Sequence, residues 1–264
     1  MKEQILANLP EDFPWRSHIH WFDSIESTNT HAKALAKAGA PHGTVLIADH
    51  QTGGRGRRGR SFHSPAGVGV YMSVLLRPEC PPARLMHLTC AAAVAACDAV
   101  ESAAGIRPGI KWTNDLVWGQ KKLAGILTEL SLTPEGTVEY AIIGIGVNCC
   151  QRPEDFPEEL RSIAASLSAV TGREIDRNQV SAALILQLEK MARTLTCKEA
   201  TLARYKKDCI TLGKYVSLVR GKEVSHGTAV DIDGEGALIV RRDDGSMETV
   251  NSGEVSVRGM YGYV

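Results

Sequence analysis

The sequence lacks an excess of charge of either sign, because its 30 lysines and arginines balance its 30 aspartates and glutamates. General nucleic-acid binders usually carry a basic excess, so this balance argues against that class of protein. Long hydrophobic runs are absent as well. The longest apolar stretch, from Cys90 to Cys97, is far too short to span a bilayer. The N-terminal segment carries acids and prolines where a secretory signal would be apolar, so we expect neither a membrane span nor export.

The sequence also lacks cysteines and histidines at the spacing of a metal site. Its seven cysteines are an odd number, and Cys149 and Cys150 are adjacent. His18 and His20 form one close pair, but no third ligand accompanies them. These patterns predict reduced thiols in a cytoplasmic protein and no metal cluster built on histidine.

What the sequence does contain is a run of four arginines and three glycines, from Gly54 to Arg60. Glycines let a backbone approach a ligand closely, and arginines present planar charged forks that suit phosphate and carboxylate. The run is not a Walker A loop, because the sequence has no G-x-x-x-x-G-K-[ST]. A solvated basic turn is the alternative, but such a turn has no need of three interleaved glycines. The run predicts an anion-binding loop that becomes ordered around its ligand.

The predicted secondary structure changes near Cys209, from mixed helices and strands to short strands separated by turns. This change predicts two domains, 1–208 and 209–264. In the first part, helices are predicted at Thr28–Ala38, Arg84–Val100 and Asp176–Leu195, and strands at Thr44–Ala48, Val68–Leu75, Ile110–Trp118, Lys122–Leu130 and Val138–Val147. In the second part, short strands are predicted at Tyr215–Arg220, Thr228–Ile232, Ala237–Arg241, Glu248–Val250 and Glu254–Val257. About 55 residues of this second pattern are typical of a small β barrel.

Three further segments carry polar chemistry: Glu26–Asn29, Lys111–Asp115 and Lys122–Leu127. Together with the arginine loop they supply cations, a carboxylate and small hydroxyl or amide groups. Cations neutralise a triphosphate and the charge that grows on its α-phosphoryl group. A carboxylate holds Mg²⁺, and hydroxyls and amides fix a small polar ligand. This combination favours nucleotidyl transfer.

Each residue taken alone also has a structural interpretation. Ser27 or Thr28 suits the cap of a helix. Lys111 and Asp115 suit a surface ion pair, and Lys122 suits a lysine that blunts the edge of a hairpin. Trp112 suits the core, and Asn148 suits a turn after a strand. The order of the segments is therefore more informative than any single residue.

In that order the segments resemble the biotin–protein ligase family. The matching patterns are S-T-N, Q-x-x-G-R-G-R-x-G-R, K-W-x-N-D, K-x-A-G-I-L and G-x-G-x-N, which here are Ser27–Asn29, Gln51–Arg60, Lys111–Asp115, Lys122–Leu127 and Gly144–Asn148. The resemblance covers the chain from about Trp21 and continues through Ser252–Arg258. It implies an α+β fold: a mixed sheet with flanking helices, of the class II synthetase and biotin ligase type, plus a small C-terminal SH3-like β barrel.

The resemblance also implies a role for each motif residue. Ser27, Thr28, Asn29 and Gln51 bind biotin, with Gln51 and the two hydroxyls at its polar ureido end. Arg55, Gly56 and Arg57 cover the biotin tail and the phosphate. Lys122 meets the biotin carboxylate, and Lys111 and Asp115 serve the triphosphate and Mg²⁺. Phe62 and Asn148 lie near the adenine.

The implied reaction joins biotin to ATP as biotinyl-5′-AMP and then transfers biotin to one lysine of a biotin carboxyl carrier domain of a carboxylase. Some family members carry an N-terminal DNA-binding domain; this sequence shows no such segment, so we expect a ligase that binds no nucleic acid. A homodimer formed through a sheet is left open. The acceptor carboxylase, the base for its lysine and the role of the C-terminal barrel are open too.

Two residues depart from the family pattern. Thr113 stands where proline is usual, and Phe62 stands where tryptophan often follows the loop. Neither departure removes a charge, so we expect both to tune affinity. Lipoate ligases or lipoyl transferases, which share the catalytic fold, are the competing enzyme class, and a biotin or nucleotide sensor is the competing binding module. The four-arginine loop and K-W-x-N-D favour biotin, and the two lysines favour turnover.

Overall fold

The computed structural model describes residues 1–220, 223–251 and 256–259. The helices are α1 Lys2–Ala7, α2 Thr28–Lys37, α3 Leu88–Ala104, α4 Leu167–Thr171, α5 Arg177–Arg193 and α6 Lys198–Asp208. The strands are β1 Ile19–Ile25, β2 Thr44–Gln51, β3 Gly69–Leu76, β4 Gly109–Lys111, β5 Asp115–Trp118, β6 Lys121–Leu132, β7 Val138–Asn148, β8 Tyr215–Arg220, β9 Glu223–Ile232, β10 Leu238–Arg242, β11 Met247–Val250 and β12 Ser256–Gly259.

A seven-stranded mixed sheet forms the larger part of the molecule, in the order β1-β2-β3-β7-β6-β5-β4. Strands β1 and β2 run parallel, and every other neighbouring pair is antiparallel. The inner strand β3 is buried on both faces, because every one of its residues is buried. Such a strand needs a layer of helices on each side of the sheet.

Helix α2 covers one face of the sheet over only part of its length. Ser27 caps its N-terminus, and the Ser27 hydroxyl accepts a hydrogen bond from the Thr30 amide at 3.5 Å. Its buried face contributes Ala32 and Ala36 to a small apolar cluster, in which they pack with Leu75 and Ile142 of the sheet. Because the helix starts at Thr28, the sheet beyond its N-terminus is left uncovered by α2, and the candidate site occupies that place.

The opposite face carries the main core, in which α3 is the central helix. Alanines make up much of α3, and small side chains let it approach β6 on one side and α5 and α6 on the other. The segment Pro82–Ala104 is long and apolar enough to cross a membrane by composition, but 72 % of its most apolar stretch is buried inside the protein. Burial of this kind is what a core helix shows.

Arg107, just after α3, ties that helix to the end of α6. Its guanidinium lies 2.5 Å from Asp208, 2.9 Å from Asp98 and 2.7 Å from Glu101. We expect Arg107→Ala to lower the free energy of unfolding by about 1–3 kcal/mol, because it leaves a half-buried acidic cluster without its cation. Urea unfolding measures the loss. Arg152→Ala, which removes an exposed arginine bound to Asp155, is the control and should leave the midpoint unchanged.

All seven cysteines are free thiols, and they differ sharply in exposure. Cys197 is exposed, whereas Cys90, Cys97, Cys149 and Cys209 are buried. Burial raises the pKa of Cys90 to about 12, so this thiol is neutral at ordinary pH. We expect a thiol reagent at pH 8 to modify Cys197 first and the buried four only on unfolding. The fast phase should disappear in Cys197→Ser; its persistence would contradict the burial pattern.

The C-terminal strands form a separate five-stranded antiparallel sheet, in the order β11-β10-β9-β8-β12. Among the residues that the structure describes, no ladder joins β11 to β12, so the strands are an open series and not a closed barrel. The predicted strand Glu254–Val257 and the motif Ser252–Arg258 fall partly on 252–255, which lie outside the described residues. The unit contacts the larger part through Gly236, whose carbonyl accepts a hydrogen bond from the Trp112 indole at 3.0 Å.

The predicted fold class is confirmed as a mixed sheet with flanking helices plus a small C-terminal β unit, but that unit is not a closed barrel among the described residues, and some element bounds differ. The segment Ile110–Trp118 is not one strand: β4 and β5 form a hairpin whose turn is 112–114, because Lys111 pairs back onto Asp115. The helix predicted from Arg84 begins at Leu88, after a short 3-10 turn at Pro82–Leu85, and runs on to Ala104, where Gly105 ends it with a φ of 71°. The loop predicted at Arg152–Glu159 contains two 3-10 turns.

Candidate active site

Three glycines on two paired strands form the floor of a cavity of about 170 Å³. On β7, Gly144 and Gly146 face the same side, and Gly125 of β6 pairs with Gly146. A Cβ at Gly144 would lie 2.0 Å from Asn29 Oδ1, and one at Gly146 would lie 2.5 Å from the Phe62 ring. The glycines therefore make room for two predicted ligand-binding side chains.

The start of α2 forms one wall of the cavity through a buried hydrogen-bond network. The amide and hydroxyl of Thr28 donate to Gln51 Oε1 at 2.9 and 3.1 Å. The Ser73 hydroxyl, wholly buried on β3, lies 2.8 Å from the Thr28 hydroxyl and 2.6 Å from Asn29 Oδ1. Gln51 Nε2 donates to Ser64 Oγ at 2.9 Å. Because each group is held by a partner, this wall is pre-organised for a small polar ligand.

The arginine loop forms the roof. Its two limbs pair with each other: the Gly56 amide donates to the Arg60 carbonyl at 2.7 Å, and the Phe62 amide donates to the Gly54 carbonyl at 2.9 Å. At the tip, Arg58 adopts a left-handed φ of 59°. The loop is thus a small hairpin folded over the cavity.

Two arginines of the loop contact opposite walls. The Arg57 guanidinium donates to Asn114 Oδ1 at 2.8 Å, and Arg55 lies 3.3 Å from the Glu129 carboxylate. Burial lowers the pKa of Arg57 below its ordinary value, while the nearby Asp115 carboxylate acts in the opposite direction. Asn114 is itself fixed, because its Nδ2 donates to the Ile126 carbonyl at 3.0 Å.

The wall opposite α2 carries the lysines and the carboxylate. Lys122 Nζ lies 2.7 Å from Asp115 Oδ1, so Asp115 pairs with Lys122, and not solely with Lys111 as a surface ion pair. The alternative of an edge lysine for Lys122 is wrong, because the residue lines the cavity and its side chain is 26 % exposed. Lys111, the cross-strand partner of Asp115, lines the same wall. Both cations therefore face the enclosed space.

Asn148 lies apart from the cavity lining. Its amide Nδ2 donates to the carbonyls of Ala165 at 3.1 Å and Lys122 at 3.4 Å. Ala165 and Ile163 in turn bond the backbone of Lys122, at 3.0 and 2.8 Å. In this structure Asn148 holds the strand segment that carries Lys122, and is more than a turn residue.

All of the predicted site residues except Asn148 line one cavity. They come from four separate segments: Ser27, Thr28, Asn29, Gln51, Arg55, Gly56, Arg57, Phe62, Lys111, Asp115 and Lys122. Trp112, assigned to the core, is 5 % exposed and also borders the cavity. Sequence reasoning missed Ser73, Asn114 and Glu129. Asn114 was visible inside the K-W-x-N-D motif, but no local pattern marks Ser73 or Glu129.

The matches to known families follow the same two parts of the chain. Residues 21–148 match the Biotin/lipoate A/B protein ligase family, and residues 211–258 match the Biotin protein ligase C terminal domain. The Bifunctional ligase/repressor BirA of Bacillus subtilis is 41 % identical over 231 residues, which are 86 % of this chain and 70 % of that protein. The chain belongs to the biotin protein ligase family.

Other relatives agree with that assignment. The Biotin–[acetyl-CoA-carboxylase] ligase of Mycobacterium tuberculosis is 35 % identical over 222 residues, covering 80 % of this chain and 79 % of that one. Among solved structures, the biotin protein ligase of Aquifex aeolicus in complex with biotin and ATP superposes with a TM-score of 0.77 and 30 % identity. The match covers 92 % of the present chain and 99 % of the Aquifex chain.

Proposed function

We propose that this protein is an ATP-dependent biotin protein ligase. It condenses biotin with ATP to biotinyl-5′-AMP and pyrophosphate, and then transfers the biotinyl group to a lysine of a biotin carboxyl carrier domain. The observation that carries the proposal is the convergence of four cations on one cavity: Lys111 and Lys122 line one wall, Arg55 and Arg57 belong to the roof, and the opposite wall is uncharged and hydrogen-bonding. Such a division suits a ligand with a polar neutral end and an anionic reacting end.

The wall formed by Thr28, Asn29 and Gln51 binds the ureido end of biotin. These side chains offer hydroxyl and amide groups already fixed by Ser73 and Ser64, so little ordering remains when a ligand binds. Phe62 covers the glycine floor and makes an edge-to-face contact with Tyr71, with ring centroids 6.4 Å apart. Its ring offers an apolar surface to the adenine, and Asn148 supports that region indirectly.

The cations act where the two substrates react. The biotin carboxylate attacks the α-phosphorus of ATP, and the bond to pyrophosphate breaks. Two anions repel each other on this path, and positive groups fixed in an enclosed site relieve that repulsion in the transition state. Lys122 meets the biotin carboxylate and the new anhydride oxygen, and Lys111 meets the triphosphate. Asp115 holds Lys122 in place through the 2.7 Å ion pair.

Magnesium fits this site as a companion of ATP. Within the described part of the chain, no group of three or more His, Cys, Asp or Glu gathers into a metal site. Mg²⁺ usually binds one or two carboxylates plus substrate phosphates, so the single Asp115 carboxylate on the cavity wall suits an ion that arrives with the nucleotide. The ion would supply further charge neutralisation at the phosphates.

Once formed, the adenylate must be protected from water until the carrier lysine arrives. The arginine loop, folded over the cavity through Arg55 and Arg57, provides that cover. The loop therefore has to open for substrates and close over the intermediate. No base for the carrier lysine is assigned among the residues that line the cavity.

The proposal also covers the domain boundary, the cellular compartment, the oligomeric state and DNA binding. The domain boundary lies near Cys209, where α6 ends and the second sheet begins. The free thiols suit a reducing cytoplasm. A homodimer and a lack of operator binding stay predictions, which gel filtration with light scattering and a salt-dependent DNA-binding titration test.

Biotin-dependent exchange of labelled pyrophosphate into ATP tests the first half-reaction. We expect exchange with biotin and Mg²⁺, and much less with lipoate in place of biotin. Exchange that depends on lipoate would favour the lipoate ligase alternative. Biotin binding without any exchange would favour the sensor.

A further inference from the structure

We propose that Glu129 is a positioning residue that fastens the arginine loop over the biotin end of the cavity. The proposal rests on the biotin ligase function given above. It adds a residue outside the five sequence motifs, on β6 beyond the cavity-lining residue Leu127. Glu129 itself does not line the cavity. It therefore acts through the residues that it contacts.

Three donors from two separate segments converge on the Glu129 carboxylate. From α2, Lys33 Nζ lies 2.5 Å from Oε1 and Asn29 Nδ2 lies 2.9 Å from Oε2. From the loop, Arg55 Nη2 lies 3.3 Å from Oε1. The carboxylate thus joins the helix that forms one wall to the loop that forms the roof. Asn29 and Arg55 line the cavity, so the connection reaches the ligand from both sides.

The environment favours the ionised form of Glu129. Burial acts to raise its pKa, but the bonds from Lys33 and Asn29 and the charge of Arg55 outweigh burial and hold the pKa below the ordinary glutamate value. The Glu129 side chain is only 19 % exposed, whereas Arg55 is 43 % exposed. An ion pair with a half-exposed arginine contributes only modest stabilising free energy. The contact between Arg55 and Glu129 can therefore form and break as the loop closes and opens.

The other anchor of the loop differs in kind. Arg57 binds the neutral amide of Asn114 near the reacting end of the site, at 2.8 Å. Glu129 holds the end near Asn29, where the ureido group binds. Loss of Glu129 should therefore weaken biotin binding more than ATP binding or the chemical step. A residue needed only for folding would not separate these quantities.

Titration calorimetry with biotin, alongside pyrophosphate release with saturating ATP, tests the proposal on the full chain. We expect Glu129→Gln to raise the Kd and KM for biotin by about fivefold, with kcat and the KM for ATP within about twofold, as for one partly exposed charged contact. Glu139→Gln is the matched control, because Glu139 is an exposed glutamate on the adjacent strand. Circular dichroism verifies that each variant is folded.

A double-mutant cycle with Arg55→Ala decides whether the effect passes through the loop. In the Arg55→Ala background, Glu129→Gln should add less than about twofold to the Kd for biotin. Full additivity, or a Glu129→Gln protein with the wild-type Kd, overturns the proposal. Wild-type protein that binds no biotin overturns it together with the proposed function. Wild-type protein that binds biotin without releasing pyrophosphate contradicts only the ligase activity, because the double-mutant cycle in the Kd for biotin still tests the contact between Glu129 and Arg55.

Discussion

Replacing Lys122 with alanine should remove most of the biotin-dependent release of pyrophosphate. The fall in kcat/KM should correspond to a loss of about 2–4 kcal/mol of transition-state stabilisation. The loss is large because the amino group lies in the cavity, where the proposed reaction brings the biotin carboxylate and the α-phosphoryl group together. The substitution also leaves Asp115 without the cation that lies 2.7 Å away. Initial-rate measurements over a range of biotin and ATP concentrations give the comparison.

Lys121→Ala is the control for this prediction. Lys121 precedes Lys122 on β6 but is exposed and does not line the cavity. Its replacement removes the same charge from the protein without touching the site, so its rates should match the wild type. Near-normal activity in Lys122→Ala would show that the lysine is not at the reacting centre.

Adding one methyl group to the glycine floor of the cavity should disturb the wall formed by Thr28, Asn29 and Gln51. In Gly144→Ala, the new Cβ would lie 2.0 Å from Asn29 Oδ1, and Asn29 is held by Ser73 and Glu129. The amide cannot move away without breaking those bonds, and overpacking of this kind costs about 1–3 kcal/mol. We expect the KM for biotin to rise by about tenfold or more, since 1.4 kcal/mol corresponds to a factor of ten.

Gly234→Ala is the matched control for the glycine prediction. A Cβ at Gly234, in a turn of the C-terminal unit, would meet no heavy atom within 4 Å, and its backbone is not in the left-handed region. The control should leave the KM for biotin unchanged. If Gly144→Ala also leaves it unchanged, Asn29 does not take part in binding biotin.

The sequence predicted most of the site because its residues lie in short motifs. The spacing of glycines and arginines in Gly54–Arg60 and the lysine of the Lys122–Leu127 segment carry their chemistry locally. The local sequence shows a cationic loop and a lysine beside apolar strand residues. Their arrangement in one cavity did not follow from these local patterns; the family resemblance implied it through the fold and the residue roles.

The residues that the sequence did not reveal depend on register between distant strands. Ser73 sits in a strand that is buried throughout, and it reaches Thr28 and Asn29 because β3 lies beside the start of α2. Glu129 reads as an ordinary exposed position at the end of a strand. Its role depends on the arrival of Lys33 and Arg55 from segments about 100 and 70 residues away.

Elements with weak patterns were missed for a related reason. Helix α6 buries only Leu202 and Tyr205, too few for a periodic apolar stripe. Strand β1 lies at the edge of the sheet, where only Ile19 is buried. Tertiary packing, and not local sequence, stabilises such elements.

In the proposed function, this cavity activates biotin with ATP and delivers it to a carrier lysine. The most direct measurement is the intact mass of a biotin carboxyl carrier domain after incubation with the protein, biotin, ATP and Mg²⁺. We expect the carrier to gain one biotinyl group. The gain should depend on ATP, and it should be lost when the carrier's acceptor lysine is changed or in Lys122→Ala. An unchanged carrier mass, with wild-type protein that is folded and binds biotin, would contradict the proposed function.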